Sequence, residues 1–404
     1  MKKVKTGAKM KNFAVICEYN PFHFGHEYHI SELKSQGANV ICVMSGDFCQ
    51  RGECAVTDKY VRARAALAGG ADLVLELPFP YSAAGAEKFA FGAVDIISRR
   101  GFPIELSFGS ECGNADMIFD TAKNTLSPEF ESALSQNLVN NSDKPFASVY
   151  FDTYREVFAE DGVFTGSNNI LGVAYASQIV KRGFDIPIST IKREGQSFGG
   201  DGAGFASATY IREKLFLGES HLLKNLMPEY SYKLLYSELE AGRCSYPEKM
   251  FPIFASFLRT HTADDIANFA ENDVSLASRL IKAGNESTCM RELYEFAITK
   301  KYSASRVRRA LLFSYFGVTQ EMLLDPPSYT TLLAANKRGC ELLAQARKKA
   351  DIPIITKPAD YEKYGEKVKS AFDFSKKAAA VRLLTQEKVQ SAADLVRKTP
   401  YIEK

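Results

Sequence analysis

The chain has 404 residues, 46% of them hydrophobic and 25% charged, with a formal net charge of +3. These fractions are ordinary for globular proteins and exclude a disordered chain or a collagen-like repeat, and the length points to two or three domains. Eight cysteines with no C-x-x-C pair exclude a small disulfide scaffold and speak against a structural zinc, so each thiol reads as a small buried hydrophobe of a reducing compartment.

In chain order, the basic start MKKVKTGAKMKN, with Met10 as an alternative start, leads into an apolar run at 13–17 that stops at Glu18. That run is too short for a signal-peptide core. No run approaches the ~18 apolar residues of a membrane span, so the chain is expected to be soluble and cytoplasmic. Further apolar, β-branched runs predict strands at 39–44, 71–77, 104–108 and 187–191. The stretches between predict helices at 26–35, 57–68, 83–98, 115–124 and 169–182. Strands alternating with helices imply βαβ units, a parallel sheet covered on both faces, and ligand binding beyond the C-terminal strand ends. The loops EYNPFHFGH, SGDFCQRGE, ELPFPYSAAGAEKFA, GSECGN and KREGQSFGGDG therefore hold the candidate chemistry. From about Ala208 the chain reads as mostly helical, punctuated by Met227-Pro228, Phe251-Pro252, Asp325-Pro326-Pro327 and Ile352-Pro353. The expected architecture is α/β: a Rossmann-like nucleotide-binding domain over 1–217, then a mostly helical domain over 218–404, with a weaker division near 326.

Charge is uneven. Residues 331–404 carry 16 Lys or Arg against 9 Asp or Glu, residues 221–330 carry 13 of each, and residues 1–220 carry 22 against 26. A basic end suits contact with phosphates, and solvated lysine-rich helices explain the same numbers equally well.

Five histidines occur, and three of them, His23, His26 and His29, fall within seven residues. Pro21 blocks strand pairing and Gly25 lets a ligand approach the backbone. A helix opening there offers free N–H groups and the positive end of its dipole to phosphate. Two imidazoles three residues apart, His23 and His26, can face one triphosphate and stabilise the charge that develops at phosphorus. Metal binding is the rival reading, but His-Glu-x-x-His needs its histidines four apart, and here they are three apart. For His29 alone, satisfying a helix cap is a sufficient role.

Other polar residues are candidates for phosphate contact. Arg51 sits in a Gly-flanked loop, and Lys59 and Arg62 share one face of a predicted helix. Ser207 and Thr209 precede Arg212 at a helix start, where they either reach phosphate or cap. Arg306, Arg308 and Arg309 follow Lys300 and Lys301 on a predicted helix.

The H-x-G-H after a first strand resembles the signature of the HxGH nucleotidylyltransferase superfamily. The strings EYNPFHFGHEYH (18–29), SGDFCQRGE (45–53), ADLVLELP (71–78) and FGSE (108–111) are more specific. With GSNNILG (166–172), IKR (191–193), ASATYIR (206–212), SRVRR (305–309) and PPSY (326–329), they resemble the bacterial tRNA(Met) cytidine acetate ligase family over most of the chain. The resemblance implies a two-step ligase. Acetate and ATP give acetyl-adenylate and pyrophosphate, and N4 of the wobble cytidine (position 34) of elongator tRNA(Met) then takes the acetyl group. It also implies that ATP is held by Ile16, Cys17, Glu18, Tyr19, Asn20, Pro21, Phe22, His23, Phe24, Gly25, His26, Glu27, Tyr28 and His29, together with Gly109, Asn168 and Arg193. His23 and His26 would then be catalytic, Mg²⁺ would accompany the nucleotide, and no resident metal, membrane or DNA is expected. Asn168 also reads as a helix cap and Arg193 as a surface charge. Phe24 stands where the family usually has Asn, Cys54 where it has Pro, and Gly166-Ser167 where it has Ser-Pro. The alternatives are an adenylyltransferase for a small phosphorylated metabolite, or a nucleotide- or RNA-binding protein without chemistry. The basic helical half favours tRNA as substrate.

Overall fold

The computed structural model describes residues 11–141, 144–193 and 205–403. The alternative start at Met10 and residues 194–202 of the last candidate loop lie outside the described residues. In chain order the strands are β1 (Asn12–Cys17), β2 (Asn39–Ser45), β3 (Phe48–Cys49), β4 (Glu53–Cys54), β5 (Leu73–Leu77), β6 (Glu105–Ser110), β7 (Ile188–Lys192), β8 (Thr330–Ala335), β9 (Ile354–Ile355) and β10 (Tyr401–Ile402).

The main sheet runs β10-β8-β5-β2-β1-β6-β7, with β9 paired to β8, and β3 and β4 form a separate small hairpin. All pairings in the main sheet are parallel except β5 with β8. β1 lies between β2 and β6, so strand order reverses there. The crevice beyond β1 and β6 is where such a sheet takes its ligand.

Alternation in β2 and β5 feeds two cores. Ile41, Val43, Leu73 and Leu75 pack on the side of the helix Ala86–Ser98. Val40, Cys42, Met44 and Val74 pack on the side of the helices Phe24–Ser35 and Lys59–Ala68. Every residue of β2 is buried, as expected of a strand covered on both faces. Cys17, Cys42, Cys49, Cys54 and Cys244 are buried as small hydrophobes, and burial pushes the Cys54 and Cys244 thiols up to about 12.

The five predicted strands and five predicted helices are all present, within three residues of the expected limits. Three features differ from the sequence reading. The helices Pro128–Asn140 and Phe146–Phe158 form a hairpin between β6 and β7, closed by Phe130 against Tyr150, Tyr154 and Phe158. The β3–β4 hairpin occupies the SGDFCQRGE loop. The third is β8, which lies in the part of the chain read as helical yet pairs with β5 inside the sheet. Its sequence, TTLLAA, is buried at all six positions and so shows no alternation. Asp72 fixes this joint. One carboxylate oxygen accepts from Lys34 Nζ and the Val40 N–H, both at 2.8 Å, and the other from Asn336 Nδ2 at 2.9 Å.

Candidate active site

His23 ends the loop after β1 and caps the helix Phe24–Ser35. Its Nδ1 accepts the Gly25 N–H at 3.1 Å, and His26 Nδ1 accepts the His23 N–H at 3.2 Å. An imidazole that accepts at Nδ1 carries its proton at Nε2, so both rings are neutral Nε2–H donors. The rings stack with centroids 3.7 Å apart. Burial, with Arg193 and Arg212 nearby, brings His23 down to about 3. Burial, then His23 and Arg193, holds His26 well below the ordinary imidazole range. His29 is anchored differently, through Nε2 to Ser107 Oγ of β6 at 3.0 Å, and burial beside Arg193 lowers it to about 4. The triplet therefore divides into a stacked pair and a tethered third ring. Among the described residues no group of three His, Cys, Asp or Glu is arranged to hold a metal.

A cavity of about 610 Å³ opens at the strand-order reversal. Ile16, Cys17, Glu18 and Tyr19 line it from the end of β1, and His26 and His29 from the helix that follows. Gly109 and Arg193 close the side next to β6 and β7. A Cβ on Gly109 would sit 3.3 Å from Arg193 Cγ, so the glycine leaves room for that side chain. Arg193 and Arg51 are exposed at the cavity, and neither is in an ion pair among the described residues. Asn168 lines it too, with Nδ2 donating to Glu111 at 2.7 Å.

Glu111 was missed in the sequence. Its carboxylate also accepts the Asn168 and Asn169 N–H groups at 3.3 and 2.8 Å, capping the helix Ser167–Lys181, which has no side-chain cap of its own. Burial raises its pKa, but these hydrogen bonds outweigh burial and hold it low. A Gly-Ser-Asn-Asn helix start without a conventional cap was the available signal. Ser303, Ala304, Ser305 and Arg308 from the second half complete the cavity wall.

The remaining members of the loop build its frame. The Asn20-Pro21 peptide is cis, and Asn20 Oδ1 accepts the Val56 N–H at 2.7 Å. Tyr19 and Phe22 pack edge to face at 5.0 Å, and Phe22 lies 5.6 Å from the His26 ring. Glu27 accepts from Tyr230 Oη at 2.9 Å, Tyr28 lies 5.9 Å from Phe205, and Phe24 is half-buried at the first helical turn.

Several candidate phosphate contacts are engaged by partners within the protein. Arg62 is 2% exposed and donates to the carbonyls of Glu18 at 2.6 Å, Ser45 at 3.0 Å, Thr57 at 3.3 Å and Gly46. It ties the loops after β1 and β2, and four of its five N–H donors are spent on backbone carbonyls. Lys59 is paired with Glu76 at 2.6 Å and Asp47 at 3.3 Å. Arg306 pairs with Asp273 at 2.9 Å and Arg309 with Glu271 at 2.9 Å. Arg212 holds the Asn20 carbonyl at 2.8 Å and Glu53 at 3.1 Å, and Arg308 holds Glu53 at 2.6 Å. Ser207 caps the helix Ala208–Phe216 through the Tyr210 N–H, and Thr209 lies 3.5 Å from Arg212.

Residues 10–395 match the HIGH Nucleotidyl Transferase family. The tRNA(Met) cytidine acetate ligase of Acetivibrio thermocellus is 36% identical over 372 residues, which cover 88% of this chain and 90% of that one. The chain belongs to the tRNA(Met) cytidine acetate ligase family. The tRNA(Met) cytidine acetate ligase of Thermotoga maritima is 34% identical over 371 residues, covering 87% and 88%. The crystal structure of Thermotoga maritima TmcAL bound with alpha-thio ATP matches with a TM-score of 0.89 at 30% identity, covering 97% of this chain and 99% of that one. Its apo form I matches at 0.90 and 31% with the same coverage. Membership of the tRNA(Met) cytidine acetate ligase family accounts for an HxGH loop at the switch point of a nucleotidyl-transferase sheet.

Proposed function

We propose that this chain joins acetate to ATP as acetyl-adenylate and transfers the acetyl group to N4 of the wobble cytidine, position 34, of elongator tRNA(Met). The observation that carries this reading is the cavity at the strand-order reversal. A neutral imidazole donor, His26, shares its wall with two cations, Arg51 and Arg193, neither of which is in an ion pair among the described residues. Such a set suits a triphosphate: the cations attract it, and the preorganised N–H donor stabilises charge at the α-phosphate during displacement.

An acetate oxygen attacks the α-phosphorus, its bond to the bridging oxygen breaks, and pyrophosphate leaves. His23, stacked on His26, fixes that ring. In the second step the cytidine N4 attacks the acetyl carbonyl, the bond to the AMP oxygen breaks, and N4 sheds a proton. Glu18 is the one carboxylate among the described residues that line the cavity. One oxygen accepts the Gln50 N–H at 2.8 Å, and the other has no partner among the described residues. That second oxygen is suited to receive the proton. A single carboxylate makes no cation cage, so Mg²⁺ would arrive with the nucleotide as part of the substrate.

Residues 1–217 would supply most of the ATP site and residues 218–404 the rest of its wall and part of the tRNA platform, with the cytoplasm as the compartment where tRNA is met. The test is incubation with ATP, labelled acetate and unmodified elongator tRNA(Met), followed by nucleoside analysis. N4-acetylcytidine at position 34 is expected. ATP turnover on another acid with no label in tRNA would overturn the reading.

A further inference from the structure

We infer that a second groove, continuous with the ATP cavity, binds the single-stranded anticodon-loop nucleotides that flank the reacting cytidine. This rests on the function proposed above. The groove encloses about 920 Å³ and shares Gln50, Ala86, Ile170, Ser303 and Ser305 with the wall of the ATP cavity. A strand of RNA lying in it would therefore enter the reaction chamber without crossing a barrier.

Its lining has the two properties that single-stranded RNA requires, flat apolar surfaces for bases and unneutralised cations for phosphates. One wall is the helical hairpin between β6 and β7. It offers Phe146, 58% exposed, with Tyr150 at 5.6 Å and Phe164 behind it at 5.7 Å from Tyr150. Phe146 gives a base a flat apolar surface on which to stack. Lys88, Lys181 and Lys300 ring the groove, and none of the three is in an ion pair among the described residues. The arginines of the opposite wall are different: Arg306 and Arg309 are held by Asp273 and Glu271. The lysines are thus the groove's available positive charge, against one unpaired lining carboxylate among the described residues, Glu87. Within this groove the paired guanidiniums of Arg306 and Arg309 build the wall, and the lysines are the cations left without an ion pair among the described residues.

The test uses the full chain and a tRNA(Met) anticodon stem-loop carrying the unmodified cytidine. Phe146→Ala and the double change Lys181→Glu with Lys300→Glu alter exposed side chains outside the ATP cavity. Acetate-dependent ATP–pyrophosphate exchange reports the first half-reaction and serves as internal reference. Each variant should keep that exchange within about twofold while acetyl transfer falls at least about tenfold through a raised KM for the stem-loop, in line with the loss of one stacked base. The double variant should also flatten the slope of log affinity against log salt by about 1.4, or 0.7 per lost phosphate on a single strand. Unchanged transfer and binding in both variants overturn the groove assignment. So does loss of binding to an acidic peptide with RNA binding intact, which would make the occupant a protein. Failure of the wild-type chain to show acetate-dependent exchange would count against the proposed function itself, and the salt slope of stem-loop binding would still report on the groove.

Discussion

Arg382 donates through Nε to Asp47 Oδ1 at 2.9 Å across 335 residues of sequence, and both side chains are buried. The same guanidinium donates to Ser245 Oγ at 3.0 Å and lies 3.5 Å from Asp58, which also pairs with Lys398. Asp47 opens the hairpin loop beside the cavity at the strand-order reversal, so the last long helix holds that loop in place. Removing the arginine leaves two buried carboxylates with less compensation. Arg382→Ala should therefore destabilise the fold by about 3–5 kcal/mol. Urea unfolding of the variant checks this, and a midpoint equal to wild type would show that the cluster contributes nothing net.

The histidines set a pH limit on the fold. His23 and His29 titrate at about 3 and about 4 in the folded chain, below the 6.5 of an unperturbed imidazole. Their neutral forms are favoured by folding, so the stability they support is complete above about 6.5. It falls as the unfolded chain gains protons below that value, at ~1.4 kcal/mol per group per unit of pH. By pH 4 each accounts for a loss of roughly 3 kcal/mol. Asp47 and Glu111, both held low by their partners, add their losses only below the ordinary carboxylate range. Urea midpoints should drop steadily from pH 7 to pH 5, and His29→Gln should flatten that slope. A midpoint constant over this range would exclude neutral burial of the rings.

The histidine pair also predicts a functional split. His26→Asn retains a hydrogen-bonding side chain at a cap but removes the ring donor facing the cavity. Acetate-dependent ATP–pyrophosphate exchange should fall by about 10²- to 10³-fold, the usual cost of one preorganised donor, with thermal stability nearly unchanged. Wild-type exchange in this variant would remove His26 from the reaction.

What was legible in the sequence was local. The His23-to-His26 spacing, Pro21, Gly25 and the strand before them lie within one short segment, so loop and helix start could be read together. The alternation of strands and helices likewise gave the parallel sheet, while the strand order that sets its switch point came only with the fold. What was hidden depends on partners far along the chain. Arg62 and Lys59 looked like an exposed basic face because nothing nearby shows that Glu76, Asp47 and the carbonyls of Glu18 and Ser45 surround them. Gly52 reads as loop punctuation. In the fold it has φ +76°, and a Cβ there would lie 2.8 Å from the Arg309 nitrogen, so it lets the helix Ala304–Phe316 close on the hairpin. β8 gave no periodic signal because both of its faces are buried. Much of the motif conspicuous in 45–53 is thus a socket for the second half of the chain.

Arg193 and Arg62 are two arginines near one site with opposite expected effects. Arg193 is exposed at the cavity and has no ion-pair partner among the described residues, whereas Arg62 satisfies four backbone carbonyls from inside the core. Arg193→Ala should leave the urea midpoint within about 0.5 kcal/mol of wild type and raise the KM for ATP by about tenfold or more. Arg62→Ala should cost about 3 kcal/mol or more in stability, because several buried acceptors lose their donor. Steady-state kinetics and unfolding curves on the two proteins separate the roles. The reverse pattern would mean that Arg62 meets the nucleotide.

Glu18 carries the last prediction. Burial raises its pKa above the ordinary carboxylate value, with the Gln50 N–H and Arg212 acting against that rise. A carboxylate so raised is a stronger proton acceptor, and its ionised form is lost as pH falls through the raised value. Acyl transfer from pre-formed acetyl-adenylate should therefore decline on the acid side. Glu18→Gln, similar in size and still able to accept the Gln50 N–H, should lower transfer by about 10²-fold and abolish that acid limb. Acetate-dependent exchange should change less than about threefold, since no proton leaves the acetate carboxylate when it attacks phosphorus. Single-turnover transfer measured across pH in both proteins decides the matter. If exchange and transfer fall together in Glu18→Gln, the carboxylate shapes the nucleotide site and another acceptor removes the proton from N4.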